Sequence, residues 1–212
     1  GEAAHEGFVM NLTLITCTGD RPEAFALCEK FMARQTTRWH QWIVLDDGEK
    51  PQTVTLGQEC YYDASWRGRG SMVKKLAFAL PKVTGDAIVF IEDDDWYNPL
   101  YLQWCINGLG RFPLIGEAMN VYYNVQQRWW FAHQNKFHAS LCATALRRTA
   151  FPFLQSALDS EDPFVDSRLW QQCRLPKMPY DPTKAPNGIR MTIGMKSMPG
   201  RKGYGEGHGT HA

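Results

Sequence analysis

No apolar run in this chain approaches the ~20 residues that a membrane-spanning helix requires. Residues 1–9 contain no cationic start followed by an apolar stretch, so a secretory signal is not expected. The six cysteines lie far apart and form no Cys-x-x-Cys pair, which fits reduced thiols in a cytosol better than a disulfide framework or a zinc site. These absences exclude a membrane span and predict a cytoplasmic protein.

The chain also lacks an excess of charge of one sign, because its formal net charge is only +1. Acids exceed bases in residues 1–146, and bases exceed acids in residues 147–212. A protein that coats polynucleotides would be more basic overall, so the charge allows a nucleic-acid partner without requiring one. With 212 residues, of which 44% are hydrophobic and 21% charged, we expect one domain with a continuous core.

Residues 92–95, Glu-Asp-Asp-Asp, carry more chemical information than any other segment. They follow the apolar run 87–91, which predicts a buried strand. Four neighbouring carboxylates repel one another and lose hydration when covered, and a divalent cation would relieve both costs. If the backbone stays extended, Glu92 and Asp94 share one side, and this acid-x-acid pair would chelate Mg²⁺ or Mn²⁺. The alternative is a solvated acidic loop that merely ends a strand.

The first hundred residues alternate between strand-like and helix-like patterns. The predicted strands are 12–15, 42–45 and 87–91, and the predicted helices between them are 23–34 and 71–80. This order predicts an α/β fold with a mostly parallel central sheet and helices on both faces. Ligands bind beyond the carboxyl ends of strands in such sheets. Polar residues follow all three strands, at 16–21, 46–47 and 92–95.

The rest of the chain is less regular. A helix is predicted at 100–109, and strand pairs, such as a hairpin, are predicted in the aromatic segment 117–146. Pro22 suits the first turn of a helix, which Asp20 would cap. Residues 198–208 are rich in glycine and predict a mobile loop.

Four motifs in order resemble the family 2-like glycosyltransferases of the GT-A fold, which use nucleotide-sugar donors. They are Thr18-Gly-Asp-Arg-Pro22, Leu45-Asp-Asp-Gly48, Gly85-Asp86 with the strand and acids after it, and Glu161-Asp162 before an amphipathic helix. The resemblance covers roughly residues 11–170. Two positions depart from the family pattern. The first acid of the metal motif is Glu92 rather than Asp. The segment that is usually Ala-Arg-Asn is Val73-Lys-Lys75 here.

The resemblance implies a role for each site residue. The donor-binding residues would be Thr16, Thr18, Asp20, Arg21, Asp46, Asp47, Lys74, Asp93, Arg201 and Lys202. The ligands of Mn²⁺ or Mg²⁺ would be Asp94 first, then Asp95, Glu92 and His208. The base of an inverting transfer would be Asp162, with Glu161 beside it. Several of these residues also have ordinary structural explanations: Asp46-Asp47-Gly48 fits a turn, and the residues before Pro163 fit the cap of a helix.

Aromatic residues predict where the acceptor binds, and a second resemblance predicts what class of molecule it is. Trp129, Trp130 and His138 would shape an acceptor site, although aromatic residues in strands are more often part of a core. The tail Pro-Gly-Arg-x-Gly-x-Gly-x-Gly-His is similar to small phage-encoded glycosyltransferases, some of which modify hydroxymethylated pyrimidines of viral DNA. This resemblance implies a nucleic-acid acceptor and, for a viral protein, the host cytoplasm.

We therefore expect residues 1–9 to be an expression remnant or disordered, and residues 10–212 to form one GT-A-like domain. Residues 194–212 would be a glycine-rich lid over the donor or, alternatively, a disordered end. The alternative functions are a glycan- or small-molecule-directed glycosyltransferase, a nucleotidyltransferase, and a non-catalytic sugar- or metal-binding module. The sequence does not predict the sugar or the oligomeric state.

Overall fold

The computed structural model describes residues 10–132 and 135–201. The helices are α1 (Pro22–Ala33), α2 (Ser71–Ala79), α3 (Tyr101–Leu109), α4 (Phe151–Asp159) and α5 (Val165–Gln172). The strands are β1 (Leu12–Thr18), β2 (Gln41–Asp46), β3 (Glu59–Tyr62), β4 (Ala87–Phe90), β5 (Trp96–Tyr97), β6 (Leu114–Glu117), β7 (Val121–Asn124), β8 (Trp129–Ala132), β9 (Thr144–Arg147), β10 (Lys177–Tyr180) and β11 (Thr192–Lys196).

A seven-stranded sheet forms the centre of the fold, in the order β10-β6-β9-β4-β1-β2-β3. Strands β4, β1, β2 and β3 are parallel to one another, and β10 is parallel to β6. Strand β9 runs antiparallel to both of its neighbours, β4 and β6. The sheet is therefore mostly parallel, as predicted, with one reversed strand between its two parallel parts.

Two apolar layers cover the sheet because successive side chains of a strand point to opposite faces. On one face, Ile15 and Ile88 pack with residues of α2, α4 and α5, such as Leu76 and Trp170. On the other face, residues of β1 and β4 pack with α1 and α3. The central strands β1, β2 and β4 are buried over almost their whole length, which explains their continuous apolar runs.

A second, smaller sheet has the order β5-β11-β7-β8. Strand β5 follows directly after the acidic segment, so this sheet begins at the carboxyl end of β4. Buried Glu117 fixes the start of β11, because its Oε2 accepts hydrogen bonds from the amides of Met191 (2.6 Å) and Thr192 (3.1 Å). Strand β11 thereby brings the C-terminal part of the chain to the acidic segment.

The sequence predictions of regular structure agree with these elements. Strands β1, β2 and β4, helices α1, α2 and α3, and the β7–β8 hairpin in the aromatic segment all lie where they were expected. The predicted cap of α1 is wrong. Arg21, not Asp20, occupies the N-cap position, and no side chain caps that helix end. Residues 194–196, the start of the predicted lid, are the end of β11.

All six cysteines lie within the described ranges and are unpaired thiols. No helix in the described part of the chain combines the length and the apolar character needed to cross a membrane.

Gly116 in β6 allows the sheet and α5 to approach closely, and its replacement should destabilise the fold. A Cβ atom there would lie 2.8 Å from the Ala143 carbonyl oxygen and 2.9 Å from Cζ2 of Trp170. We expect Gly116→Ala to lower the free energy of unfolding by about 1–3 kcal/mol in urea denaturation. The matched control is Gly110→Ala after α3, where φ is −60° and the nearest atoms lie 3.5 Å away. Equal effects of the two substitutions would contradict this account.

Candidate active site

The carboxyl ends of β1, β2 and β4 meet at one edge of the central sheet because these strands are parallel neighbours. Thr18 at the end of β1 pairs with Asp46 at the end of β2, and residues 92–95 follow β4. The predicted convergence of the three polar strand ends is therefore present in the fold. The acids of this edge are arranged in two groups, one around residues 92–95 and one around Asp47.

Residues 92–95 form a turn, not the extended segment that was expected. The amide of Asp95 donates to the carbonyl oxygen of Glu92 at 3.4 Å, which reverses the chain before β5. Because of this turn, Glu92 and Asp95 approach each other, whereas Asp93 and Asp94 both face the guanidinium of Arg21. The predicted alternation of Glu92 with Asp94 is thus corrected, since that pattern applies only to extended backbone.

Arg21 holds the middle of the turn. Its two terminal nitrogens contact Asp93 Oδ1 at 2.8 Å and Asp94 Oδ2 at 2.6 Å. Thr18 donates its hydroxyl hydrogen to the second oxygen of Asp93 at 2.7 Å. Burial lowers the pKa of Arg21, but the surrounding carboxylates outweigh burial and raise it further above its ordinary value. Arg21 and Asp93, both predicted to bind the donor, therefore stabilise the acidic turn itself.

Glu92, Asp95 and Cys142 form the group that best fits a metal ion among the described residues. One potential ligand atom of each lies within 4.8 Å of the others. Asp95 Oδ1 accepts a hydrogen bond from the amide of Met195 at 2.7 Å, whereas its buried Oδ2 has no hydrogen-bond partner in the described part of the chain. The thiol of Cys142 also forms a hydrogen bond with the carboxylate of Asp95. The two carboxylates suit Mg²⁺ or Mn²⁺, and Cys142 is a poor ligand for them because burial raises its pKa well above the usual value.

Burial and mutual repulsion raise the pKa values of three of these acids. The pKa of Asp95 rises to about 6, through burial first and then the charge of Asp94. Burial raises the pKa of Asp93 to about 7 although Arg21 opposes this shift, and the pKa of Glu92 lies well above its ordinary value. Buried Lys196, at the end of β11, opposes the shifts of Glu92 and Asp95. Positive charge at this position would favour the ionised carboxylates.

Asp47 is the centre of the second group. Its Oδ1 contacts Lys75 Nζ at 2.9 Å and the guanidinium of Arg201, and its Oδ2 accepts a hydrogen bond from Ser71 at 2.7 Å. Burial raises the pKa of Asp47, but the hydrogen bonds from Ser71, Arg201 and Lys75 lower it to about 2. Gly19 is required beside this group, because a Cβ atom there would collide with Arg201 and Asp47. Arg201 thus lies at the predicted donor site.

Three other predicted donor residues support the loops of this edge. Asp46 accepts backbone hydrogen bonds from Gly48 (2.8 Å) and Gln52 (2.6 Å), so its carboxylate shapes the turn after β2. Asp20 accepts from the amide of Glu49 at 2.6 Å, and its other oxygen contacts Arg67 at 2.9 Å. Thr16 accepts a hydrogen bond from the indole of Trp42 at 2.9 Å inside the core.

The cation of α2 at the site is Lys75, not the predicted Lys74. Lys75 is buried and also donates to the carbonyl oxygen of Thr18 at 2.8 Å. Lys74 is exposed, because successive residues of a helix point about 100° apart. From the sequence alone, either lysine of Val73-Lys-Lys75 could be the one that lies at the site. Only the packing of α2 on the sheet distinguishes them.

Asp162 and Glu161, the predicted base and its neighbour, lie between α4 and α5. Asp162 Oδ1 accepts from the amide of Phe164 at 2.9 Å, and Oδ2 contacts Arg168 Nε at 2.7 Å. These hydrogen bonds, that of Phe164 first, lower the pKa of Asp162. Glu161 is exposed and has a positive φ of 54°. Since both oxygens of Asp162 are engaged, its position does not favour a role as a base.

The predicted acceptor residues are placed in two locations. Trp130 is 67% exposed and lines a groove with a volume of about 350 Å³, together with Trp96, Tyr123 and Met195. Trp129 points away from this groove and packs against Phe131, with ring centroids 5.0 Å apart. His138 lies near α5, where its Nε2 is 3.4 Å from Ser167 Oγ. Lys202, His208 and most of the predicted lid lie outside the described residues.

Sequence reasoning missed Lys75, Cys142 and Lys196 at this edge. Lys196 is the last residue of a segment with the alternating pattern of a strand. That pattern predicts the strand, but it does not predict which residues the end of the strand contacts. Cys142 is a lone cysteine in a short 3₁₀ turn, Leu141–Ala143, and has no motif. Their positions depend on pairing between strands that are distant in sequence.

The chain matches no protein-family model and no curated protein sequence. It does match solved structures. S. aureus TarS 1-349 in complex with UDP-GlcNAc has a TM-score of 0.62 at 15% identity over 92% of this chain and 60% of that one. Mannosyltransferase PcManGT from Pyrobaculum calidifontis, in complex with GDP-Man and Mn²⁺, has a TM-score of 0.59 at 12% identity over 82% of this chain and 56% of that one.

This chain has the GT-A fold. The likeness confirms the predicted fold class, since both solved structures are glycosyltransferases of that fold. At these low identities the likeness establishes the fold and not the activity. The chain also spans about 60% or less of the length of these proteins. Any activity must therefore be argued from the residues of this chain.

A bound cation should stabilise this protein more at alkaline than at acidic pH. Because the pKa values of Glu92, Asp93 and Asp95 are raised, the metal-free folded state binds more protons than the unfolded chain between about pH 4 and about pH 7. Its free energy of unfolding therefore falls as the pH rises through that window. Mn²⁺ at about 100 times its Kd adds about 2.7 kcal/mol, or about 5–10 °C in Tm. We expect a shift of this size at pH 8 and a clearly smaller one at pH 5 in thermal-shift measurements, whereas equal shifts would contradict the site.

The two adjacent lysines of α2 provide a second test. Lys75→Met leaves Asp47 without its buried partner and should lower the free energy of unfolding by about 3 kcal/mol. Lys74→Met, the matched control, should change it by less than about 0.5 kcal/mol. Urea denaturation of both variants measures the difference. Similar values for the two variants would show that Lys75 is not the residue that supports this edge.

Proposed function

We propose that this protein is a metal-dependent glycosyltransferase that transfers a sugar from a nucleotide-diphosphate sugar to a hydroxyl acceptor. The observation that carries the proposal is the pair of carboxylates Glu92 and Asp95, whose potential ligand atoms lie within 4.8 Å of each other at the carboxyl edge of a GT-A sheet. A binding site at this edge fits the general behaviour of parallel α/β sheets. The solved structures of the same fold include complexes with UDP-GlcNAc and with GDP-Man and Mn²⁺.

The acids and cations of the site have complementary tasks in this proposal. Glu92 and Asp95 would hold Mn²⁺ or Mg²⁺, with Asp94 next to them. A cation bound there supplies positive charge to the diphosphate oxygens and stabilises the leaving group. Arg21 holds Asp93 and Asp94 in place through its two ion pairs, so that the turn does not rearrange when the donor binds. Preorganised charges of this kind cost little reorganisation during the reaction.

The ends of β1 and β2 would bind the nucleoside and the diphosphate. Thr18 and Asp20 line the loop after β1, and Asp47 follows β2. Arg201 lies at the same edge through its contact with Asp47, so we propose that it contacts the diphosphate. We also propose Lys202 as a further donor-binding residue and His208 as a further ligand of the metal.

The transfer would be inverting, with one carboxylate that takes the proton of the acceptor hydroxyl. The exposed ring of Trp130 and the apolar groove beside it suit an acceptor with a flat ring. A hydroxymethylated pyrimidine of DNA has both a flat ring and a primary hydroxyl, so we propose this acceptor class.

A panel of nucleotide sugars tests the proposed activity without knowledge of the acceptor. With Mn²⁺, we expect slow hydrolysis of at least one UDP- or GDP-sugar to the nucleoside diphosphate. Asp95→Asn should lower this turnover at least about 100-fold, because it removes a negative ligand from the metal. The control is Asp159→Asn at the end of α4, an exposed acid whose partner is Gln155.

The products distinguish the alternatives. Release of nucleoside monophosphate or pyrophosphate would indicate a nucleotidyltransferase. Binding of a nucleotide sugar without turnover would indicate a binding module. Hydrolysis that is unchanged in EDTA would exclude the proposed metal dependence.

A further inference from the structure

Asp166 is a second carboxylate on the segment that carries the predicted base. It lies in the first turn of α5 and is only partly exposed. We propose that Asp166, and not Asp162, is the catalytic base that accepts the proton of the acceptor hydroxyl. This inference rests on the glycosyltransferase activity proposed above.

The position of Asp166 places it close to the acidic turn. The carboxylate interacts with the backbone of Leu141 in the 3₁₀ turn Leu141–Ala143. The next residue, Cys142, is the one whose thiol lies within 4.8 Å of ligand atoms of Glu92 and Asp95. One short turn of the chain therefore separates Asp166 from the proposed metal ligands. A base must stand near the reacting centre without belonging to the metal shell, and this packing is the basis on which we assign that place to Asp166.

The surroundings of Asp166 favour proton uptake. The amide of Ser167 donates to its Oδ1 at 2.8 Å. Burial raises the pKa of Asp166, and the hydrogen bonds and the nearby imidazole of His138 only partly oppose this shift. His138 is the ionisable neighbour that the structure places beside this carboxylate within the described ranges. A base with a raised pKa accepts a proton more readily than an ordinary aspartate.

Asp162 has the opposite environment. Its two oxygens are engaged by the amide of Phe164 and by Arg168, and its pKa is lowered. Protonation of Asp162 would break the ion pair with Arg168 at 2.7 Å. We infer that Asp162 orders the start of α5.

Two exposed aromatic residues lie close in sequence to Asp166 and to its neighbour His138. Phe164, two residues before it, is 64% exposed, and Phe137, next to His138, is 82% exposed. Large apolar side chains at such exposure often mark a binding surface.

The proposed step balances in atoms and electrons. The acceptor hydroxyl gives its proton to the Asp166 carboxylate while its oxygen forms a bond to the anomeric carbon. The bond between that carbon and the diphosphate oxygen breaks, and its electron pair leaves with the nucleoside diphosphate. The protonated Asp166 returns its proton to solvent after the products leave.

The test compares Asp166→Asn with Asp162→Asn and uses water as the acceptor. On the nucleotide sugar that the wild type hydrolyses fastest, Asp166→Asn should lower kcat at least about 100-fold, while Asp162→Asn retains at least about a third of it. Both variants should bind the nucleoside diphosphate with Mn²⁺ within about threefold of the wild-type Kd in calorimetry. Retained kcat in Asp166→Asn, or an equal loss in both variants, would overturn the proposal.

A second measurement does not depend on whether Asp166→Asn folds. In a plot of wild-type kcat against pH, the fall on the acidic side (the acid limb) should have an apparent pKa above the usual value of an aspartate. Because His138 lowers the pKa of Asp166, His138→Gln should move this limb to higher pH. An unmoved limb would contradict the assignment. If the wild type hydrolyses none of the nucleotide sugars, the proposed function fails; if it does and Asp166→Asn remains active, only the base assignment fails.

Discussion

The repulsion among four consecutive carboxylates at a buried strand end is the constraint on which the rest of this site depends. An extended segment would spread these charges over both sides of the chain, and neither side could neutralise its pair completely. The turn at residues 92–95 instead divides the acids into two pairs. Arg21 forms ion pairs with Asp93 and Asp94, and the pair of Glu92 and Asp95 faces Lys196. When both acids of the second pair are ionised, they carry more negative charge than one lysine balances, which is the physical basis for a cation there.

This division of charge couples segments that are distant in sequence. Arg21 precedes α1, Lys196 ends β11, and Met195 binds Asp95 through its backbone. Strand β11 is itself fixed by buried Glu117, so the C-terminal part of the chain is held against the acidic turn. The contact of Arg201 with Asp47 then joins the same segment to the end of β2. The donor edge is thus built from both ends of the described chain.

Most of the fold could be predicted because its elements are specified locally. Apolar runs identified β1, β2 and β4, helical spacing identified α1 to α3, and polar residues after each strand identified the edge of the sheet. The finer site could not be predicted because it depends on the path of the backbone and on tertiary packing. Nothing local distinguishes Lys75 from Lys74, and the turn that unites Glu92 with Asp95 overrides the alternation of an extended chain. Asp20 likewise resembled a helix cap, yet it supports the neighbouring loop.

Two aspartates near the start of α5 have different roles in this proposal: Asp162 is structural, and Asp166 is the base. A carboxylate whose oxygens are satisfied by an arginine and a backbone amide is stabilised in its charged form, and this stabilisation must be lost before it can take a proton. Burial raises the pKa of Asp166, so this carboxylate takes up a proton more readily. A motif search selects the first of these acids because it scores residue types and spacing. Proton affinity is set by the environment, so the environment of Asp166 outweighs the motif.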